Sequence, residues 1–237
     1  MHLDVVQYSA RRELDTAHRE IEEAQVVDVP RGLDRIDQAS LPLDGQYKYR
    51  LDGTGVTVFV LDSGIRSTHV EFEGRAPTCA LDFYKEDCLD SSSHGTHVAG
   101  IIGGKRSGVA KNVTLVAVRV FGSDGGAPIS TTTAGMDYIL GQKKANPDTP
   151  MVVNMSFGGV GVFLGSTSRA VTSLVDAGIV VVAAAGNEDQ NACLFSPASA
   201  LKAIAVGAST YDSTFKKDRR AEFSNYGPCV DIFAYVV

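Results

Sequence analysis

From residue 56 onward the chain falls into short runs that are apolar at nearly every position, and this pattern constrains the fold more than any other feature. The runs are Val56–Leu61, Val113–Val120, Met151–Met155, Ile179–Ala184, Ala203–Val206 and Val230–Phe233. They do not alternate between apolar and polar residues, so a strand built from one of them must be covered on both faces. Between them lie stretches of helical length rich in small residues, at His94–Ile102, Ser130–Ala145 and Thr167–Ala177. Strands alternating with helices build parallel βαβ units. The expected fold is therefore α/β, a doubly wound, mostly parallel sheet with helices on both faces.

At 237 residues, 44% hydrophobic and 21% charged, the chain can bury one sizeable core. A net charge of -6, with only short basic pairs such as Lys216-Lys217 and Arg219-Arg220, excludes the basic footprint that nucleic acid requires. The longest apolar run, Ile179–Ala185, is far shorter than the roughly 20 residues that span a bilayer, so no membrane partner is expected. The first twenty residues are too charged to read as a secretory signal peptide. Residues 1–29 differ from the rest, with Leu14, Ala17 and Ile21 as a thin apolar stripe on a charged background, which reads as a helix or a frayed tail. Pro30, Gly32, Pro42 and Gly45 then mark a loop-rich lead-in to the first core strand.

Four cysteines, Cys79, Cys88, Cys193 and Cys229, permit two disulfides in three connectivities. Free buried thiols are the alternative, and without C-x-x-C spacing no zinc site is expected.

The residues with chemical potential cluster where strands are expected to end. Asp62 closes an apolar run and is followed by Ser63-Gly64, so its carboxylate should emerge at the carboxyl end of a parallel strand, the place where α/β sheets hold their sites. Taken alone it could equally cap the next turn. His94 opens a helix of small residues in Ser-His-Gly-Thr-His. His97, one turn later, lacks a carboxylate at ligand spacing and reads as a hydrogen-bonded packing residue rather than half of a metal pair. Asn187 follows another fully apolar run and a glycine; alone it is a turn residue. Three such residues at the strand ends of one sheet make a candidate site.

The stretches R-G-L-D-R-I-D-Q, V-F-V-L-D-S-G-I, S-H-G-T-H-V-A-G-I-I-G, V-N-M-S-F-G-G, A-A-A-G-N, S-P-A-S-A and F-S-N-Y-G occur in order between residues 31 and 227. In this the chain resembles the subtilisin-like serine peptidases, in particular the proteinase K and aqualysin-type branch. The resemblance implies a subtilisin-like three-layer α/β/α fold over residues 30–237, with residues 1–29 as a propeptide remnant or linker. It implies hydrolysis of peptide bonds in polypeptides by an Asp/His/Ser triad. Asp62 would orient His94, and His94 would act as general base and then general acid. Asn187 would donate a side-chain N–H to the oxyanion. Gly125, Gly126 and Ala127, with Ser156, Phe157 and Gly158, would hold the substrate as an added strand, and Ala183 to Gly186 would line the pocket for the residue before the scissile bond.

The same resemblance implies a structural calcium on the carbonyls of Leu201 and Ala203 and the carboxylate of Asp231, with Asp231 in an ordinary salt bridge or turn as the alternative. It implies a Cys193–Cys229 disulfide, no cofactor for catalysis, an extracellular location, a monomer, and polypeptide substrates and its own propeptide as partners. Cys88 lacks the partner it has in relatives, which makes Cys79 the substitute, and Arg31 stands where relatives have tryptophan.

One expected element is absent from the sequence. Relatives carry the nucleophile in Gly-Thr-Ser-x-Ala after these motifs, whereas here Phe233-Ala234 is followed by Tyr235-Val236-Val237. Gly165-Ser166-Thr167-Ser168 precedes Asn187 and reads as a helix start with Ser168 as its N-cap. The 237 residues as given are thus expected to lack the triad serine and to be inactive, a truncated peptidase domain. The alternative is a non-catalytic peptide-binding module of the same fold, or a fragment without function.

Overall fold

The computed structural model describes residues 24–27, 29–75, 77–161, 164–214 and 216–235. The expected stripe at Leu14, Ala17 and Ile21 lies outside the described residues.

Eight strands form the central sheet. Strands β3 (Thr57–Asp62), β5 (Thr114–Arg119), β6 (Met151–Met155), β8 (Ile179–Ala184) and β10 (Ile204–Asp212) are its body. Strand β4 (Thr78–Asp82) lies on one edge, and β11 (Lys217–Arg220) lies on the other. The order is β11-β10-β8-β6-β3-β5-β4, with β12 (Ile232–Tyr235) also pairing with β10. Within this sheet all pairings are parallel except the antiparallel β10–β11 ladder, and the short strands β7 (Gly159–Val160) and β9 (Phe195–Ser196) pair antiparallel outside it. The mostly parallel, doubly wound sheet expected from the apolar runs is present.

Helix α2 (His94–Gly103) leads from the edge strand β4 back to β5 on one face of the sheet, while α3 (Ile129–Ala145) and α4 (Leu164–Asp176) lie on the other. The alternation within β3 gives the reason. Val58 and Val60 pack with Val98, Ala99 and Ile102 of α2, whereas Phe59 and Leu61 pack with Met136 and Ile139 of α3 and with Val171 and Leu174 of α4. Each residue of the strand therefore has an apolar partner on its own side.

Because the chain moves from β3 out to β4 and back through α2 to β5 on one side of β3, and then to β6 on the other, β3 lies at the point where strand order reverses. That is where a doubly wound sheet opens a crevice beyond its carboxyl ends.

Several elements depart from expectation. The lead-in contains a helix, α1 (Arg31–Ile36), and a strand, β2 (Gln46–Tyr49), which pairs antiparallel with β1 (Ala24–Val27). Pro30 sits at the N-cap of α1, where its missing N–H costs nothing. Strand β10 runs six residues past its apolar segment, and α4 begins before Thr167. Ser168 consequently lies inside α4, its carbonyl accepting from Thr172 Oγ1 at 2.8 Å, and is not the N-cap.

Disulfides join Cys79 to Cys88 and Cys193 to Cys229. Arg31 lays its guanidinium 4.0 Å from the ring centroid of Tyr211, a cation–π contact. Among the described residues no helix is long and apolar enough to cross a membrane.

Candidate active site

Asp62 is the last residue of β3 and is only 2% exposed. His94 is the first residue of α2, and its Nδ1 lies 2.8 Å from Asp62 Oδ1. An ionised carboxylate can only accept, so this contact assigns the ring proton to Nδ1 and leaves Nε2 as an acceptor. The strand end and helix start can meet because Gly95 has no side chain: a Cβ there would stand 2.1 Å from the Gly64 carbonyl oxygen and 3.2 Å from Asp62 Cβ. The glycine of Ser-His-Gly-Thr-His is thus required by close approach.

Asp62 Oδ1 also accepts the Ser63 N–H at 2.7 Å. The hydrogen bond to Asp62 raises the His94 pKa above its ordinary value, burial works against this, and the charges of Asp62 and Asp90 add to it.

A second carboxylate, absent from the sequence reading, lies behind this pair. Asp90 is 8% exposed. Its Oδ1 accepts from Ser63 Oγ at 2.8 Å and the Ser93 N–H at 2.9 Å, and its Oδ2 accepts from Thr96 N–H at 2.8 Å and Thr96 Oγ1 at 2.5 Å. Burial alone would raise its pKa, but these hydrogen bonds bring it below the ordinary aspartate value. Its only sequence signal was an acid at the head of the Asp-Ser-Ser-Ser run before His94.

Asn187 stands three residues beyond β8, after Gly186, whose φ of 106° is a left-handed conformation. A Cβ on Gly186 would lie 2.1 Å from Asn225 Nδ2. Asn225, fully buried, donates to the Ala185 carbonyl at 2.9 Å and accepts from the N–H groups of Glu188 and Gln190 at 3.1 and 2.9 Å. Glu188 Oε2 accepts from the Asn187 N–H at 2.8 Å and from Asn225 Nδ2 at 2.7 Å. The loop is fixed through its main chain while the Asn187 side chain is exposed.

His94 and Asn187 face the same cavity, about 660 Å³, which lies on the α2 side of the sheet and also reaches Leu33, Ser156, Ala184 and Tyr235. His97 is exposed at this cavity's wall, so it is not the packing residue expected. The Gly125–Ala127 turn follows β5 and the Ser156–Gly158 segment follows β6, on either side of the β3 end. Ala127, Phe157 and Gly158 line a second cavity of about 190 Å³ with Ile129, Val160 and Pro197. Phe121 meets Phe157 edge to face at 5.1 Å.

The expected calcium donors are oxygens, as a hard cation prefers, but they are few. Asp231 Oδ2 accepts the Ala205 N–H at 2.8 Å. The other carboxylate oxygen and the Leu201 and Ala203 carbonyls would then make three donors, against the about six to eight oxygens that calcium takes. No group of three or more His, Cys, Asp or Glu able to hold a metal occurs among the described residues.

The model of the subtilase family, peptidase S8, matches residues 53–236. The chain is 48% identical over 206 residues to alkaline serine exoprotease A of Vibrio alginolyticus, covering 86% of this chain and 36% of that protein. It is 46% identical over 207 residues to an extracellular serine proteinase of Thermus sp. (strain Rt41A), covering 86% of this chain and 47% of that protein. The chain therefore spans less than half the length of either relative. A crystal structure of a cold-adapted subtilisin-like serine proteinase superposes with a TM-score of 0.79 at 40% identity, covering 88% of this chain and 72% of that one.

Proposed function

The chain belongs to the subtilase family, and from that premise we propose that it carries the acid–base half and the oxyanion half of a serine endopeptidase that cleaves polypeptides by acyl transfer. The observation that carries the reading is the 2.8 Å contact between buried Asp62 Oδ1 and His94 Nδ1, with the other edge of the imidazole open to a cavity.

Asp62 fixes the tautomer and stabilises the imidazolium, so that Nε2 takes the nucleophile's proton and returns it to the leaving amine. Asn187 Nδ2 donates to the oxyanion, a dipole that gains its partner only as the tetrahedral intermediate forms. The substrate backbone lies as a strand between Gly125–Ala127 and Ser156–Gly158, where small residues let it come close. The 190 Å³ cavity between those segments receives one of its apolar side chains.

The nucleophile is the unfilled role. No Gly-Thr-Ser-x-Ala occurs among the 237 residues, and we assign it to a segment outside them, presented into the 660 Å³ cavity beside His94. By themselves these residues then bind peptide without hydrolysing it, which is also the behaviour of a non-catalytic module. Residues 30–237 are read as the peptidase domain and residues 1–29 as a propeptide remnant or linker. An extracellular, monomeric protein with polypeptide substrates, and its own propeptide as a partner, fits this reading. A structural calcium would be held by Asp231 and the Leu201 and Ala203 carbonyls with water completing its shell; it would tie the chain before β12 to the turn before β10 and take no part in the reaction.

Fluorophosphonate labelling with a peptide-hydrolysis assay tests the proposal. We expect no labelled serine within these 237 residues, and hydrolysis only in a form that also contains Gly-Thr-Ser-x-Ala, abolished there by His94→Ala. A labelled serine within the 237 residues would overturn the assignment of the nucleophile. Hydrolysis indifferent to His94→Ala would overturn the mechanism.

A further inference from the structure

We propose that Asp90 is a positioning residue for the Asp62–His94 pair, resting on the acid–base role given to that pair above: it sets the start of α2 and holds the Ser63 hydroxyl proton away from the Asp62 oxygen that His94 uses. Asp90 is buried, yet it forms no ion pair among the described residues. Its charge is balanced only by donors, and all of them belong to the two segments that carry Asp62 and His94. Ser63 Oγ, from the turn after Asp62, reaches Oδ1 at 2.8 Å. The others flank His94: Ser92 N–H at 3.2 Å, Ser93 N–H at 2.9 Å, and Thr96 N–H and Oγ1 at 2.8 and 2.5 Å, while the Ser92 hydroxyl donates to Ser63 Oγ at 2.9 Å.

Two consequences follow from chemistry. Ser93, immediately before His94, has a φ of 66°, a left-handed conformation that a serine adopts only when its surroundings hold it there; its N–H is tied to Asp90. The Ser63 hydroxyl has one proton and two carboxylates in reach, Asp90 Oδ1 at 2.8 Å and Asp62 Oδ1 at 3.2 Å. The shorter contact takes it. The same hydroxyl oxygen accepts the Gly95 N–H at 3.0 Å, joining the Asp62 turn to the helix of His94. Without the Asp90 carboxylate the Ser63 proton turns to Asp62 Oδ1 and competes there with His94 Nδ1–H. An asparagine cannot substitute, because in either orientation its NH₂ meets groups that are themselves donors.

The experiment records the low-field Nδ1–H proton resonance of His94 in the full chain and in Asp90→Asn, Asp62→Asn, Thr96→Val and Thr96→Ser. Asp62→Asn should abolish the resonance. Asp90→Asn should move it upfield and broaden it, Thr96→Val should do so partially, and Thr96→Ser should restore it. In a form that hydrolyses peptide, Asp90→Asn should lower kcat about 10- to 100-fold with KM unchanged, the scale of a small misplacement of a reacting group. If Asp62→Asn leaves the resonance in place, the acid–base reading itself fails. If Asp62→Asn abolishes it while Asp90→Asn changes neither the resonance nor kcat, only the present proposal fails. Should Asp90→Asn not fold, the threonine pair decides: equal resonances in Thr96→Val and Thr96→Ser overturn the proposal.

Discussion

The two halves of the site are built on opposite plans. The His94 half is held by side chains: Asp62 is buried against the imidazole, and Asp90 gathers donors from the turn and helix that flank them. The Asn187 half is held by main chain. Asn225 and Glu188 fix the loop through its peptide groups, and the Asn187 side chain makes no hydrogen bond among the described residues. Each half also has one disulfide, Cys79–Cys88 just ahead of His94 and Cys193–Cys229 just beyond Asn187. The difference fits the roles proposed for the two halves. A base has to hold its tautomer and orientation before substrate arrives, and Asp62 does this through Oδ1 alone, its buried Oδ2 having no hydrogen-bond partner among the described residues. A neutral amide in contact with solvent costs little while idle and gains its partner only as the oxyanion forms.

The comparison breaks first where the expected effects are largest. In a form that hydrolyses peptide, His94→Ala should lower kcat about 10⁶-fold and Asp62→Asn about 10⁴-fold, the scale on which subtilisin itself responds. Comparable activity in wild type and Asp62→Asn would mean that the side-chain-held half is only scaffolding. Asn187→Ala should cost about 10²- to 10³-fold in kcat with KM little changed, and a loss confined to KM would show that Asn187 binds substrate rather than the oxyanion. Asn225→Ala addresses the loop rather than the chemistry. It strands the Glu188 and Gln190 N–H groups, and we expect the denaturation midpoint to report about 2 kcal/mol of lost stability. An unchanged midpoint would remove Asn225 from its place as the anchor of that half.

How much of this was legible in the sequence depended on the kind of signal involved. Strands β6 and β8 begin and end where their apolar runs do, because a strand covered on both faces is apolar throughout. Asp62 and Asn187 stand out because each follows such an apolar run, and His94 because it opens a helix of small residues. Strand β4 was missed because Thr-Cys-Ala-Leu-Asp is a sheet edge, partly exposed and without a run to find. Helix α1 was hidden by Pro30 and Gly32, which read as loop punctuation although a proline at a helix start is compatible with the fold. Asp90 and Asn225 left no periodic trace at all. Their partners come from segments such as Ser63 and Ala185, 27 and 40 residues away, and a hydrogen-bond network assembled over such distances has no spacing rule.

The most direct test of the His94 half is the titration of its imidazole, followed by NMR in the wild-type chain and in Asp62→Asn. The contact with Asp62 raises the pKa of His94, so the pair stabilises the fold most below the unfolded histidine pKa. That contribution is lost as pH rises through the raised folded value. The catalysis proposed for His94 runs the other way, needing the neutral ring present above that value. The account predicts that His94 titrates above an ordinary histidine in the wild-type chain and falls back in Asp62→Asn. A His94 that titrates as an ordinary histidine in both would contradict it, because the carboxylate would then be neither orienting nor charging the base.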